Sequence, residues 1–281
     1  MNLPFRIDLS DKVVVITGGS GVLCSMFGRA AAAVGAKVAL LARRSEGTRE
    51  VAEAIVAEGG IARGYGCDVL DKPGIEAVHE RILDELGPCD ILINGAGGND
   101  SKANTDDEHF LPGAMGTRRT FFDLDPDGVG SVFGLNFLGS FIPTQVFARD
   151  MLGRRGCSII NVSSMSAYSP MTKVPAYSAA KAAISNFTQW LAVHFAKEGI
   201  RCNAIAPGFF STRQNAALLF NPDGSPTART GKILAATPMG RFGQPEELVG
   251  ALLFLMSEEA SGFVNGACIP VDGGFCAYSG V

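Results

Sequence analysis

Short β-branched runs and helical stretches alternate along this chain from end to end, and that rhythm restricts the possible folds more than any other feature. Val13 to Thr17 (VVVIT) is a continuous apolar run that ends in glycines. An Ala-rich stretch from Met26 to Val34 then stops at Gly35, a residue suited to the left-handed position that closes a helix. Val38 to Leu41, Ile91 to Ile93, Ser158 to Val162, Cys202 to Ile205 and Cys268 to Val271 are further strand candidates. Helices are expected over about 46–58, 74–86, 128–152, 176–198 and 245–256. Strands that are apolar throughout, joined by helical crossovers, imply a parallel sheet buried on both faces. The expected fold class is α/β, a single doubly wound domain over residues 1–281.

Length alone would allow two domains at about 150 residues each, but α/β domains run to about 250 residues and no linker or repeat divides the chain. Two segments break the rhythm. Residues 98–125 have mixed charge and no period, and residues 211–243 are polar and carry Asn221-Pro222-Asp223-Gly224. Both follow strands, and ligands in doubly wound sheets sit beyond the C-terminal strand ends, so both are expected to wall a substrate site.

Composition excludes several function classes. With 47% hydrophobic and 19% charged residues the chain is not disordered. A net charge of −4 and no Lys/Arg block longer than two argue against nucleic-acid binding. No purely apolar stretch of about 18 residues suggests a membrane span, and the N-terminus lacks the apolar core of a signal peptide. The seven cysteines (24, 67, 89, 157, 202, 268 and 276) include no C-x-x-C pair. Free thiols, no metal site and a cytoplasmic location are the expectations.

Thr17 to Cys24 (TGGSGVLC) joins the first strand to the first helix. Glycines there let the backbone turn tightly and approach a phosphate, and the helix N-terminus offers free N–H groups and positive potential. The end of the second strand bears on which dinucleotide binds. A carboxylate about 20 residues past the glycines suits the ribose hydroxyls of NAD, whereas an arginine suits the 2′-phosphate of NADP. The strand ends Leu40-Leu41-Ala42-Arg43-Arg44, so NADP is favoured and NAD is the other candidate.

Tyr177-Ser178-Ala179-Ala180-Lys181 opens a helix just after Pro175. Positions i and i+4 share a helix face, so the hydroxyl and the ammonium point the same way. A neighbouring cation favours tyrosinate and lowers its pKa from about 10, which suits Tyr177 to acid/base work. Ser164 stands directly after a strand candidate, placed to hydrogen-bond a substrate carbonyl beside Tyr177.

In order and spacing, Thr17-Gly18, Cys67-Asp68-Val69, Asn94-Gly95-Ala96-Gly97, Asn136, Ser164, Tyr177 with Lys181, Asn203 and Pro207-Gly208 resemble the short-chain dehydrogenase/reductase family over nearly the whole chain. The resemblance implies an NAD(P)-dependent oxidoreductase on a seven-stranded Rossmann-type sheet. It implies a catalytic set in which Tyr177 transfers the proton and Ser164 orients the carbonyl. Lys181 holds the nicotinamide ribose and lowers the Tyr177 pKa, and Asn136 anchors a water to Lys181. It assigns Gly18, Ser20, Gly21, Val22 and Leu23 to the phosphate turn, with Arg43 and Arg44 at the cofactor's second phosphate. Asp68 and Val69 would flank the adenine, and Asn94, Gly95 and Ala96 would line its ribose. Pro207, Gly208, Phe210 and Thr212 would lie by the nicotinamide. A homotetramer with the 176–198 helix in one interface is implied as well.

The chain departs from the family pattern in places. Val22 and Cys24 stand where later glycines of the turn belong, and Gly95 replaces the second Asn of N-N-A-G. The fructuronate reductase (D-mannonate oxidoreductase) branch shares Val22 and Gly95 but not Cys24. That branch is also similar in Gly97-Gly98-Asn99, Phe121 to Asp125, Leu135 to Gly139 and Val271 to Phe275. The expected substrate is therefore a keto or hydroxy sugar acid. Such a molecule needs a cation for its carboxylate and hydrogen-bonding groups for its hydroxyls, and Arg118, Arg119, Lys173, Arg213, Gln214 and Asn215 lie in segments that could reach the strand ends. A general carbonyl or 3-oxoacyl reductase, and a nucleotide-binding sensor with weak catalysis, are the other readings.

Overall fold

The computed structural model describes residues 6–211 and 219–280 of the chain. Seven strands form one parallel sheet: β1 (Val13–Thr17), β2 (Lys37–Ala42), β3 (Ile61–Gly66), β4 (Ile91–Asn94), β5 (Ser158–Val162), β6 (Arg201–Pro207) and β7 (Cys268–Val271). Their order is β3-β2-β1-β4-β5-β6-β7, and every neighbouring pair is parallel. β1 and β6 are buried at every position; β1 is apolar up to its last residue, whereas β6 buries Arg201 and Asn203 with hydrogen-bond partners.

Two helical layers cover the sheet. On one face lie α1 (Val22–Ala33), α2 (Ser45–Ala57) and α8 (Val249–Met256), sharing a core with Val14, Ile16, Val38 and Ile160. α1 buries Cys24, Phe27, Gly28 and Ala31, a spacing that forms one stripe at helical period. On the other face lie α3 (Lys72–Glu85), α5 (Gly139–Phe147) and α6 (Pro175–His194), packed on Val15, Leu41, Leu92 and Ile159. The remaining helices are α4 (Pro126–Phe133), α7 (Ala228–Ala235) and the one-turn α9 (Glu258–Ser261).

β3 and α7 are absent from the strand and helix candidates read off the sequence. β3 is an edge strand, IARGYG, in which only Ala62 and Tyr65 are buried and whose interior carries Arg63 and Gly64. It therefore lacks the continuous apolar run that marks the central strands. α7 sits inside the polar 211–243 segment, started by Thr227, whose side chain accepts from the Thr230 N–H. The 98–125 segment holds three single turns of helix rather than one unbroken loop.

Between α4 and α5 the helix widens to a π turn over Gly134–Leu138, with Pro143 following inside α5. Wider turns of this kind re-aim single side chains. The run Pro126–Met151 is the one described helix long and apolar enough to cross a membrane. Half of its apolar window is buried against the protein, and Thr144 accepts a hydrogen bond from Asn94 of β4 at 2.9 Å.

Candidate active site

A cleft of about 760 Å³ opens beyond the C-terminal ends of β1 and β4. These two strands flank the point where the strand order reverses, the place where open α/β sheets bind ligands. Gly18, Ser20, Gly21, Val22, Leu23 and Cys24 line one side of it. Gly18 turns the chain with φ of 72°, and Gly21 begins α1 without a side chain to cap the first N–H groups. Those donors face an anion site. Thr17 ties the turn to the opposite wall, its Oγ1 accepting from the N–H groups of Gly95 and Ala96, both at 3.1 Å.

The predicted cofactor residues divide. Arg43, Arg44, Val69, Gly95, Ala96, Pro207 and Gly208 line the cleft. The exposed side chains of Arg43 and Arg44 make no hydrogen bond or ion pair among the described residues. Asp68 stays outside the lining, its carboxylate accepting from the Leu70 N–H at 3.0 Å. Asn94 is turned into the protein, where its Nδ2 donates to Thr144 Oγ1 and Asn161 Oδ1, each at 2.9 Å. Phe210 packs its ring over Gly243 in the core, and its neighbour Phe209 faces the cleft instead. Thr212, Arg213, Gln214 and Asn215 lie outside the described residues. The uncapped helix start and the two unpaired guanidiniums are the donors that dinucleotide phosphates require, so the residues present fit such a cofactor.

Ser164, Tyr177 and Lys181 meet in the same cleft. Ser164 follows β5 and starts a single helical turn, its Oγ accepting from the Ser166 N–H at 3.2 Å. Tyr177 lines the cleft with Ser164, close enough for the serine to lower its proton affinity. Lys181, one turn further along α6, is buried and donates from Nζ to the Val162 carbonyl at 2.9 Å. Its Nζ stands 5.7 Å from the centre of the Tyr177 ring. Asn136 sits on the π turn and donates from Nδ2 to the carbonyls of Gly98 and Val132, at 2.7 and 2.8 Å. A Cβ on Gly97 would lie 2.8 Å from Asn136 Oδ1 and 3.2 Å from Lys181 Nζ, so all three come together only because residue 97 is a glycine.

Burial sets the proton affinities here. It pushes the Tyr177 hydroxyl above the ordinary tyrosine value, and the contact with Ser164 draws it part of the way back. It pushes Lys181 down to about 8. The sequence reading expects Lys181 to bring Tyr177 down. In the fold the lowering comes from Ser164 instead and burial outweighs it, while Lys181 is itself destabilised as an ammonium and its Nζ is engaged by Val162.

Of the expected carboxylate-binding cations, the three among the described residues, Arg118, Arg119 and Lys173, do not line the cleft. Arg118 pairs with Asp107 at 2.6 Å, and Arg119 donates to the Ser101 carbonyl at 2.6 Å, both within the 98–125 segment. Lys173 lies outside the lining. Residues that the sequence reading did not place in the site do line it, among them Asn99, Met165, Met171, Val174, Phe209 and Arg229. Asn99 belongs to the Gly97-Gly98-Asn99 stretch shared with the similar branch, but Arg229 stands in the polar 211–243 segment, where no pattern marks it. Among the described residues the ionisable lining is Arg43, Arg44, Tyr177, Lys181, Arg229 and two thiols, with no carboxylate, and no group of three metal-ligating side chains occurs.

A sequence model of the family described as enoyl-(acyl carrier protein) reductase matches residues 25–276. An uncharacterized oxidoreductase of Haemophilus influenzae is 57% identical over 281 residues, covering 100% of this chain and 99% of that protein. Gluconate 5-dehydrogenase of Gluconobacter oxydans is 33% identical over 274 residues, 98% of each chain. Among solved structures, a Haemophilus protein provisionally called a D-mannonate oxidoreductase, with NAD bound, superposes with a TM-score of 0.95 at 58% identity over 98% of both chains. A gluconate 5-dehydrogenase from Burkholderia cenocepacia, in complex with NADP and tartrate, gives 0.82 at 29% identity over 97% of this chain and 98% of that one. The chain belongs to the short-chain dehydrogenase/reductase family and is an NAD(P)-dependent oxidoreductase.

Proposed function

We propose that the protein interconverts a keto and a hydroxy sugar acid of the fructuronate/mannonate type. The observation that carries the chemistry is the meeting of Ser164, Tyr177 and Lys181 at one end of a cleft whose other end offers phosphate donors. The cofactor supplies or accepts the hydride when bound. Ser164 holds the substrate oxygen, and Tyr177 gives a proton to it in reduction or takes one in oxidation. Lys181 offers an ammonium beneath the Tyr177 ring, which stabilises the tyrosinate left after proton transfer. Asn136 fixes the Gly98 backbone beside Lys181 and marks where a proton-relaying water would anchor.

A cleft lined by basic groups and no carboxylate suits an anionic substrate, and relatives named for gluconate chemistry support the sugar-acid class. Arg43 and Arg44 favour NADP over NAD, because no acidic residue stands at the end of β2 to hold ribose hydroxyls. The similar Haemophilus structure holds NAD, so NAD is the competing cofactor. The chain acts as one domain, with segments 98–125 and 211–243 as substrate walls. Exposed Trp190 and Val193 on α6 support a homotetramer formed through that helix. The seven unpaired cysteines fit a cytoplasmic protein.

Fluorescence titration with NADPH and NADH, followed by reduction assays on fructuronate, 5-ketogluconate and an acetoacetyl thioester, tests this reading. Tighter NADPH binding with turnover confined to the keto-sugar acids is the expected result. Turnover confined to the thioester would replace it with an acyl reductase, and nucleotide binding without any turnover would favour a sensor.

A further inference from the structure

We propose that Arg229 is the specificity-determining residue that receives the substrate's carboxylate, an assignment that rests on the sugar-acid reading above. Arg229 lies in the first turn of α7 and lines the cleft. Its exposed side chain has no hydrogen bond or ion pair among the described residues. Among the described residues the other candidate cations are occupied or stand elsewhere. Arg118 and Arg119 are held within the 98–125 segment, and Lys181 is buried against Val162. Lys232, one turn along α7, is paired with Glu108 at 2.7 Å. Arg43 and Arg44 stand at the end of β2, across β1 and β4 from the β5 and β6 ends that carry Ser164 and Phe209.

The surroundings hold α7 on the Phe209 side of the cleft. Thr230 Oγ1 donates to the Leu219 carbonyl at 2.5 Å, and Ile233 packs with Leu219 and Phe242 in a cluster that Phe209 also joins. α7 is therefore fastened to the same Phe209 that lines the cleft beyond Pro207 and Gly208. The Lys232–Glu108 pair fixes the helix from the opposite side, against the other substrate wall. A planar guanidinium with no acidic neighbour in the lining is suited to a two-pronged grip on a carboxylate.

Arg229→Gln and Arg229→Lys in the full chain, assayed on a keto-sugar acid and on its uncharged amide, test the assignment. Arg229→Gln is expected to raise KM for the acid about 10- to 100-fold and to abolish the wild-type preference for acid over amide. The dissociation constant for NADPH should not change, and Arg229→Lys should recover part of the loss. An unchanged KM for the acid, equal losses on acid and amide, or weakened nucleotide binding would each overturn the assignment. The wild type separates this from the broader reading. A wild type that prefers neutral ketones defeats the sugar-acid class itself, whereas one that prefers the acid while Arg229→Gln behaves normally defeats only the role of Arg229.

Discussion

The Cys24 thiol fills the space that a side chain at position 95 would need, because a Cβ built on Gly95 would overlap the Cys24 Sγ. Read separately, a cysteine in the phosphate turn and a glycine after β4 are two losses from the family pattern. In the fold they are one exchange of volume between facing positions. Cys24 is buried, and burial pushes its thiol up to about 12, so it acts as packing rather than as a nucleophile.

The exchange predicts coupling. Gly95→Ala should destabilise the protein by about 1–3 kcal/mol through overpacking, since the new methyl also approaches the Thr17 carbonyl. Adding Cys24→Gly should relieve part of this, leaving the double variant about 1 kcal/mol more stable than the sum of the single changes implies. Urea unfolding of the four proteins measures it. Strict additivity would mean that the two sites are independent.

Cofactor choice should follow Arg43. Its guanidinium lines the cleft without a partner among the described residues, so Arg43→Asp removes a cation and adds a charge that repels a phosphate. NADPH binding should weaken by about tenfold or more while NADH binding changes little. Fluorescence titration of both nucleotides gives the ratio, and an unaltered ratio would contradict NADP preference.

Lys181 should leave a mark on the pH dependence of stability. Burial holds its folded pKa at about 8, against an ordinary lysine value of 10.5, so above pH 8 the folded chain sheds a proton that the unfolded chain keeps. Stability attributable to this residue therefore rises as pH increases from about 8 toward 10.5, and is constant below that window. Relative to Lys181→Met, the wild type should gain about 2 kcal/mol between pH 8 and pH 9.5. A flat difference would show that the ammonium is not desolvated.

The central fold and the reacting groups were legible in the sequence for a shared reason. β1 is buried throughout and reads as an unbroken apolar run, β4 and β5 carry the apolar cores Ile91–Ile93 and Ile159–Ile160, and Tyr177 and Lys181 are separated by one helical turn. β3 escaped because only Ala62 and Tyr65 of its residues are buried, on opposite faces, and the close approach of the α2 backbone at Thr48 requires Gly64 in its middle. The π turn that aims Asn136 depends on tertiary packing, which no local pattern reveals. Arg118 and Arg119 were candidates by charge alone. Their engagement with Asp107 and the Ser101 carbonyl is set by how the 98–125 segment folds on itself. Arg229 escaped for the complementary reason, since its place in the cleft follows from how α7 packs on Phe209.

The most direct measurement is the turnover of Tyr177→Phe on the best keto-sugar acid, beside its NADPH dissociation constant. Removing the hydroxyl while keeping the ring should lower kcat by about 10²- to 10⁴-fold, with nucleotide binding close to that of the wild type. A variant that retained turnover would contradict proton transfer by Tyr177, and with it the mechanism built on Ser164, Tyr177 and Lys181.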